Sequence, residues 1–184
     1  MAFIRWFGQS KIVDKNGTPK VVYHGTRADF DVFRPKARNP ALGFHFGSIL
    51  QAEFFAGYCG RRRPLRGGTI LPCYLRIENP LRTPDVFDRG PAGADEVAHL
   101  LVREGVLEKA VRDRVYKARS TREAYDRIVV ALGGAGYDGI IYANVHEGGT
   151  ANTNEDSYVV FEPEQIKSVF NCGAFDAARP NILA

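Results

Sequence analysis

The sequence predicts an α+β fold, a small and mostly antiparallel sheet system with helices beside it. Three observations predict it. Short β-rich runs, such as VVYHG, TILPCYL, YDGIIYAN and SYVVF, occur on both sides of residues 94–132. Residues 94–132 instead carry helical apolar spacing. No repeat, low-complexity block or linker divides the 184 residues, so a single domain over 1–184 is expected.

Asn16-Gly17 is a hairpin signal, with Pro19 just beyond it, so Lys11–Val13 and Lys20–His24 are expected to pair. FDVFRPKARNPALG reads as a loop anchored by Phe30 and Phe33. GFHFGS is a short strand opened by Gly43, and LQAEFFAGYC a short helix ended near Gly57 or Gly60. TILPCYLRIENP is a strand with Leu71, Cys73, Leu75 and Ile77 on one face, and Pro72 fits an edge or a strand start. Ala94, Val97, Ala98 and Leu101, then Leu107, Val111 and Val115, then Ala124, Ile128, Val129 and Leu132, mark about three short helices. Ser120-Thr-Arg-Glu123 has the form of a capping box, and Gly133-Gly134 is the expected stop. YDGIIYAN, SYVVFEP and IKSVF return to strands, and the tail from Cys172 is irregular.

Apolar content of 45% and charged content of 25% are those of an ordinary globular protein, and no apolar run is long enough to span a bilayer. The opening MAFIRWFGQSK lacks the apolar middle of a secretory signal. Cys59, Cys73 and Cys172 have no metal-like spacing, so reduced thiols and no metal are expected. The expected compartment is the cytoplasm, of the producing cell or of a target cell into which the protein is delivered. The net charge of +4 is uneven: six cations between Lys109 and Arg122 against Asp113 give +5, leaving −1 for the remainder. A second cluster, RRRPLR, holds Arg61, Arg62, Arg63 and Arg66. Such clusters suit an acidic partner or phosphates, or form a solvated helix face.

At Val21–Thr26 an apolar run leads directly into His24, Gly25 and Thr26, a polar tip opening off a buried strand. Alone this is a weak signal. The ordered set WFGQSKIVDKNGTPKVVYHGT, GFHFGS, CYLRIENPL, YDGIIYAN, SYVVFEPEQIKSVFN and GAFDAARPNIL gives it context. It resembles the ADP-ribosyltransferase-like domains in polyvalent proteins of phages and mobile elements, which are similar to poly(ADP-ribose) polymerase-like enzymes of the His-Tyr-Glu type. The resemblance implies a split antiparallel sheet core with an NAD cleft, and it explains the helical insertion around 94–132 least.

By that resemblance, NAD+ is a substrate, no metal is needed, and the bond between nicotinamide and ribose breaks through an oxocarbenium-like transition state. His24 corresponds to the histidine that bonds the adenosine ribose. Gly25 offers backbone groups to the nicotinamide carboxamide, and Thr26 adds a hydroxyl. In the second motif, opened by Gly43, His45 takes the place of the nicotinamide-facing tyrosine. Phe55 is the expected further aromatic, with Phe54 and Tyr58 as substitutes. The third motif departs from the pattern: Ser157 falls where a glutamate is usual. Asp156 serves only if a bulge turns the strand, and Glu147 in VHEGG is a further carboxylate. The reading is a mono-ADP-ribosyltransferase modifying a macromolecular acceptor, protein rather than nucleic acid. A bacterial or phage toxin or effector is its expected setting, with Lys109–Arg122 as the target-contact surface and no membrane partner. The rival readings are a degenerate module binding NAD or a partner, and a nucleic-acid-binding protein using the basic segment.

Overall fold

The computed structural model describes residues 1–35, 40–57, 67–84, 93–144 and 155–184. Helix α1 (Ala2–Phe7) leads to β1 (Val22–Thr26), β2 (Phe44–Phe46), α2 (Ile49–Ala56), β3 (Thr69–Leu75) and β4 (Pro80–Thr83). Helices α3 (Ala94–Arg103), α4 (Lys109–Tyr116) and α5 (Thr121–Gly134) follow, then β5 (Gly139–Asn144), β6 (Glu155–Val160) and β7 (Ile166–Ser168). Among the described residues the architecture is α+β, with two sheets and five α-helices.

One sheet has the order β1-β3-β7 and the other β2-β6-β5-β4. All pairings are antiparallel except β4 with β5. Alternation along β6 divides the core between two layers. Tyr158 and Val160 join Phe44, Phe46 and Ile141 in a cluster with Val22, Cys73, Leu75 and Ile166 of the three-stranded sheet. Val159 faces the other way and joins Ile140 and Tyr142 against Val97, Leu101, Val111, Ile128 and Leu132 of the three helices. Burial pushes the Cys73 thiol up to about 12, so it acts as a small apolar residue.

The predicted hairpin forms in part. The Asp14 N–H donates to the Thr18 carbonyl at 2.8 Å, Val13 bridges Pro19, and the Lys20 N–H donates to the Ile12 carbonyl at 2.9 Å, but from Val22 on the strand β1 pairs with β3. Turn chemistry dictates the reversal, whereas the strand partner is a long-range choice.

Pro72, expected at an edge or at a strand's start, lies inside the central strand β3. Its carbonyl accepts the Val169 N–H at 3.1 Å, so its nitrogen also points toward β7, one residue beyond the last β3–β7 pair, Cys73–Ser168. Proline has no N–H to return that bond, so one bond is missing at the end of the β3–β7 pairing and none in its middle, which is why the central strand tolerates it.

The Ser120 hydroxyl accepts the Glu123 N–H at 3.2 Å, but Glu123 reaches instead to the Arg119 N–H and to Arg127, so the expected capping box is half formed. Helix α5 also continues through Gly133-Gly134 to an Ala135 cap.

Helix α1, which the sequence did not announce, packs Trp6 and Phe7 inward, and the Trp6 indole donates to the Glu164 carbonyl at 3.1 Å. The irregular tail is pinned by Lys167, fully buried, whose ammonium donates to the Arg179 and Asn181 carbonyls at 2.9 and 2.8 Å. No described helix is long and apolar enough to cross a membrane.

Candidate functional site

The two sheets meet where β1 passes β2. Tyr23 exchanges both backbone hydrogen bonds with Gly47, at 2.9 and 3.0 Å, on the β1 edge that faces away from β3. Backbone groups alternate edges along a strand, so Gly25, two residues on, presents its N–H and C=O to that same outer edge. Its α-carbon faces α2. A Cβ there would collide with the Ala52 carbonyl oxygen and stand 2.9 Å from the Ala56 nitrogen, so only glycine lets α2 lie on β1.

His24, on the opposite face of β1, packs edge-on against Phe33 at 5.0 Å and tilts against Phe46 at 5.4 Å. Its Nδ1 lies 2.7 Å from the His45 carbonyl oxygen. A carbonyl only accepts, so Nδ1 carries the proton, and in the neutral ring Nε2 is an acceptor. This bond joins the first and second motifs. Thr26 turns its hydroxyl to the Ala28 N–H at 3.1 Å. Gly43 enters β2 at φ 67, in the left-handed region. His45 is half-buried and pairs with Val159 of β6, which puts both on the face that also carries Ser157.

Ser157 is 3% exposed. Its hydroxyl donates to Gln51 Oε1 at 3.2 Å and accepts from Asn144 Nδ2 at 3.0 Å. Asp156, its neighbour, projects from the opposite face. The β5–β6 register runs unbroken from Gly139–Val160 to Asn144–Glu155, so no bulge turns the strand. Asp156 instead forms a bidentate pair with Arg82, at 2.7 and 3.1 Å. The structure therefore brings together His24, Gly25, His45 and Ser157 around β1, β2, α2 and the start of β6, and places Asp156 elsewhere.

Phe55 is 49% exposed on α2 with Phe54 against it at 5.5 Å, centroid to centroid. Tyr58, Glu147, Cys59 and the RRRPLR cluster lie outside the described residues. Among the described residues no group of histidine, cysteine and carboxylate side chains could hold a metal. A groove of 610 Å³, lined in part by Arg76, Glu78, Tyr137 and Glu164, shares no residue with this site.

Two residues of the site, Gln51 and Asn144, were not among those the sequence singled out. Neutral carboxamides carry no charge pattern. The available signal was Ser48-Ile-Leu-Gln51, a capping box that forms in full, with Gln51 at its third helical position.

A family model described as "ADP-Ribosyltransferase in polyvalent proteins" matches residues 14–175. No curated protein matches the chain. Among solved structures, the chain is similar to one titled "Crystal structure of an anti-CRISPR protein", with 11% identity, a TM-score of 0.33, and coverage of 77% of this chain and 89% of that one.

Proposed function

The chain belongs to the family of ADP-ribosyltransferases in polyvalent proteins, and we propose that it is a mono-ADP-ribosyltransferase that uses NAD+ and moves one ADP-ribose unit to a macromolecule. The observation that carries this reading is the outer edge of β1. There Gly25 offers one N–H donor and one C=O acceptor beside the His24–His45 bond, the complement of a primary carboxamide such as that of nicotinamide.

With NAD+ so held, an acceptor nucleophile attacks the ribose C1′. The bond from C1′ to the nicotinamide nitrogen breaks, its electron pair neutralises the pyridinium ring, and the acceptor's proton passes to solvent. Positioning and electrostatics do most of such work. His24 Nε2 accepts a ribose hydroxyl. Ser157, in the place of the family's usual glutamate, supplies hydrogen bonding without charge, which suits single-unit transfer and not chain growth. Glu147, between β5 and β6 in the sequence, is the alternative carboxylate.

The acceptor contact belongs to the basic segment. Val111 and Val115 point into the core, which leaves Lys109, Arg114, Lys117 and Arg119 exposed, whereas Arg112 lies over the Tyr116 ring and pairs with Asp113. A phage or mobile-element effector acting inside a bacterial cell is the setting we favour.

Incubation with NAD+ should release nicotinamide and leave ADP-ribose on lysate macromolecules. His24→Ala should weaken NAD+ binding by about 0.5–1.5 kcal/mol in calorimetry. Binding of NAD+ with no nicotinamide release would select the second reading, a binding module, which the full engagement of the Ser157 proton by Gln51 favours. No binding at all would overturn both.

A further inference from the structure

The Ser157 hydroxyl has one proton, and Gln51 takes it. Gln51 Oε1 accepts from the Ser48 N–H at 2.7 Å and from Ser157 Oγ at 3.2 Å, while Gln51 Nε2 turns toward the Glu155 carbonyl at 3.5 Å. The carboxamide is therefore oriented by its partners: the oxygen must face the two donors and the nitrogen the acceptor. Asn144 Nδ2 fills one Ser157 lone pair at 3.0 Å. What Ser157 has left is a second lone pair. A hydroxyl held in this way meets a ligand only as an acceptor, the hydrogen-bonding role of a carboxylate oxygen without its charge.

The chain around Gln51 is shaped to allow this. A Cβ on Gly47 would collide with Gln51 Oε1 and stand 2.9 Å from its carboxamide carbon, so the approach of the side chain to the cap needs glycine at that position. The next residue, Ala52, is the one whose carbonyl lies against Gly25. One turn of α2 thus touches Gly25 of β1 through its backbone and Ser157 of β6 through Gln51.

We infer that Gln51 is a positioning residue for the transfer reaction: it fixes Ser157 as a hydrogen-bond acceptor for a ribose hydroxyl and, through α2, sets the distance from Ser157 to Gly25. The inference rests on the transferase reading. It assigns Gln51 no contact with the substrate. Its contribution falls on the step in which the ribose flattens, so it appears in kcat.

The test is a double-mutant cycle with Gln51→Met and Ser157→Ala, read as nicotinamide release from NAD+. Displacement of a positioned group costs up to about 10²-fold in rate, so each single variant should lose kcat on that order, with KM for NAD+ moving far less. The double variant should be no worse than the weaker single one, because both changes remove the same contact. Gln51→Glu, which keeps the acceptor oxygen, should recover at least about tenfold over Gln51→Met, as the retained oxygen still takes the Ser157 proton.

A folded Gln51→Met variant with kcat within about threefold of wild type, or losses that multiply in the double variant, would overturn the inference and leave the transferase reading standing. If Gln51→Met does not fold, the cycle is run with Gln51→Ala, which also removes the acceptor oxygen, and Ser157→Ala, and multiplying losses overturn it equally. A wild-type protein that releases no nicotinamide would take down the reading itself.

Discussion

On one face of β6, Ser157 is held among neutral amides, with Gln51 on one side and Asn144 on the other. On the opposite face the groups are charged: Asp156 is clasped by Arg82, and the Tyr158 hydroxyl receives the Lys20 ammonium at 3.0 Å. The two faces are one residue apart in sequence and chemically unlike. A carboxylate is present in the strand, on the face where an arginine neutralises it. On the Ser157 face the hydroxyl keeps neutral hydrogen-bond partners, and the charged residue of that face, Glu155, is exposed at the start of the strand. Without a bulge, residue type cannot be traded between neighbours of a strand, since each belongs to its own layer.

Three substitutions sharpen the contrast, and the largest effect belongs to the neutral face. Ser157→Val leaves Gln51 Oε1 and Asn144 Nδ2 each short of a buried partner, so denaturant titration should show a loss of roughly 1–3 kcal/mol. A melting curve unchanged from wild type would mean that the amides find other partners at no cost.

Tyr158→Phe is expected to cost less, about 0.5–1.5 kcal/mol, because Lys20 keeps a route to water. This loss carries a pH signature. Burial lowers the Lys20 pKa, but the Tyr158 hydrogen bond and the nearby Asp156 and Glu155 outweigh it, leaving the folded value above 10.5. A raised pKa contributes stability that is complete below the unfolded value and disappears as pH climbs through the folded one. The wild-type advantage over Tyr158→Phe should therefore hold steady from neutral pH to about 10 and narrow above it. An advantage that instead grew in alkali would put the sign wrong and remove Lys20 from the contact.

Arg82→Ala should be the mildest, under about 1 kcal/mol, because the pair is exposed and screened by salt. Its use is in catalysis: nicotinamide release should stay at the wild-type rate. A large fall would show that Asp156 serves the reaction after all.

The pattern in these residues also shows what a sequence can disclose. Local signals translated well. The Asn16-Gly17 turn, the end of α2 before Gly57, and the apolar spacing of α3, α4 and α5 are all found. Each depends on contacts within a few residues. The misjudged features depend on distant partners: which strand β1 joins, and where Pro72 falls within the sheet.

Within the candidate site, His24, Gly25 and Ser157 were singled out through their motifs, and the strand register of Ser157 against Asp156 followed from period two. Gln51 and Asn144 were not. Their importance comes from meeting Ser157 across 106 and 13 residues, and no spacing rule encodes such a meeting.

The parallel pairing of β4 with β5 makes α3, α4 and α5 a crossover, because parallel neighbours cannot be joined by a tight turn. The order of strands in that sheet has a consequence for synthesis. β6 lies between β2 and β5, and its partner Phe44 precedes Val160 by 116 residues. A nascent chain can pair β1 with β3 and close the three helices early, since domains assemble as their parts emerge at roughly 5–20 residues per second. β2 must wait as an unpaired edge until Glu155–Val160 appears. Every contact of Ser157 waits with it. A nascent chain that has not yet made β6 therefore holds the first two motifs and lacks the third, so the site is complete only after Glu155–Val160 is synthesised.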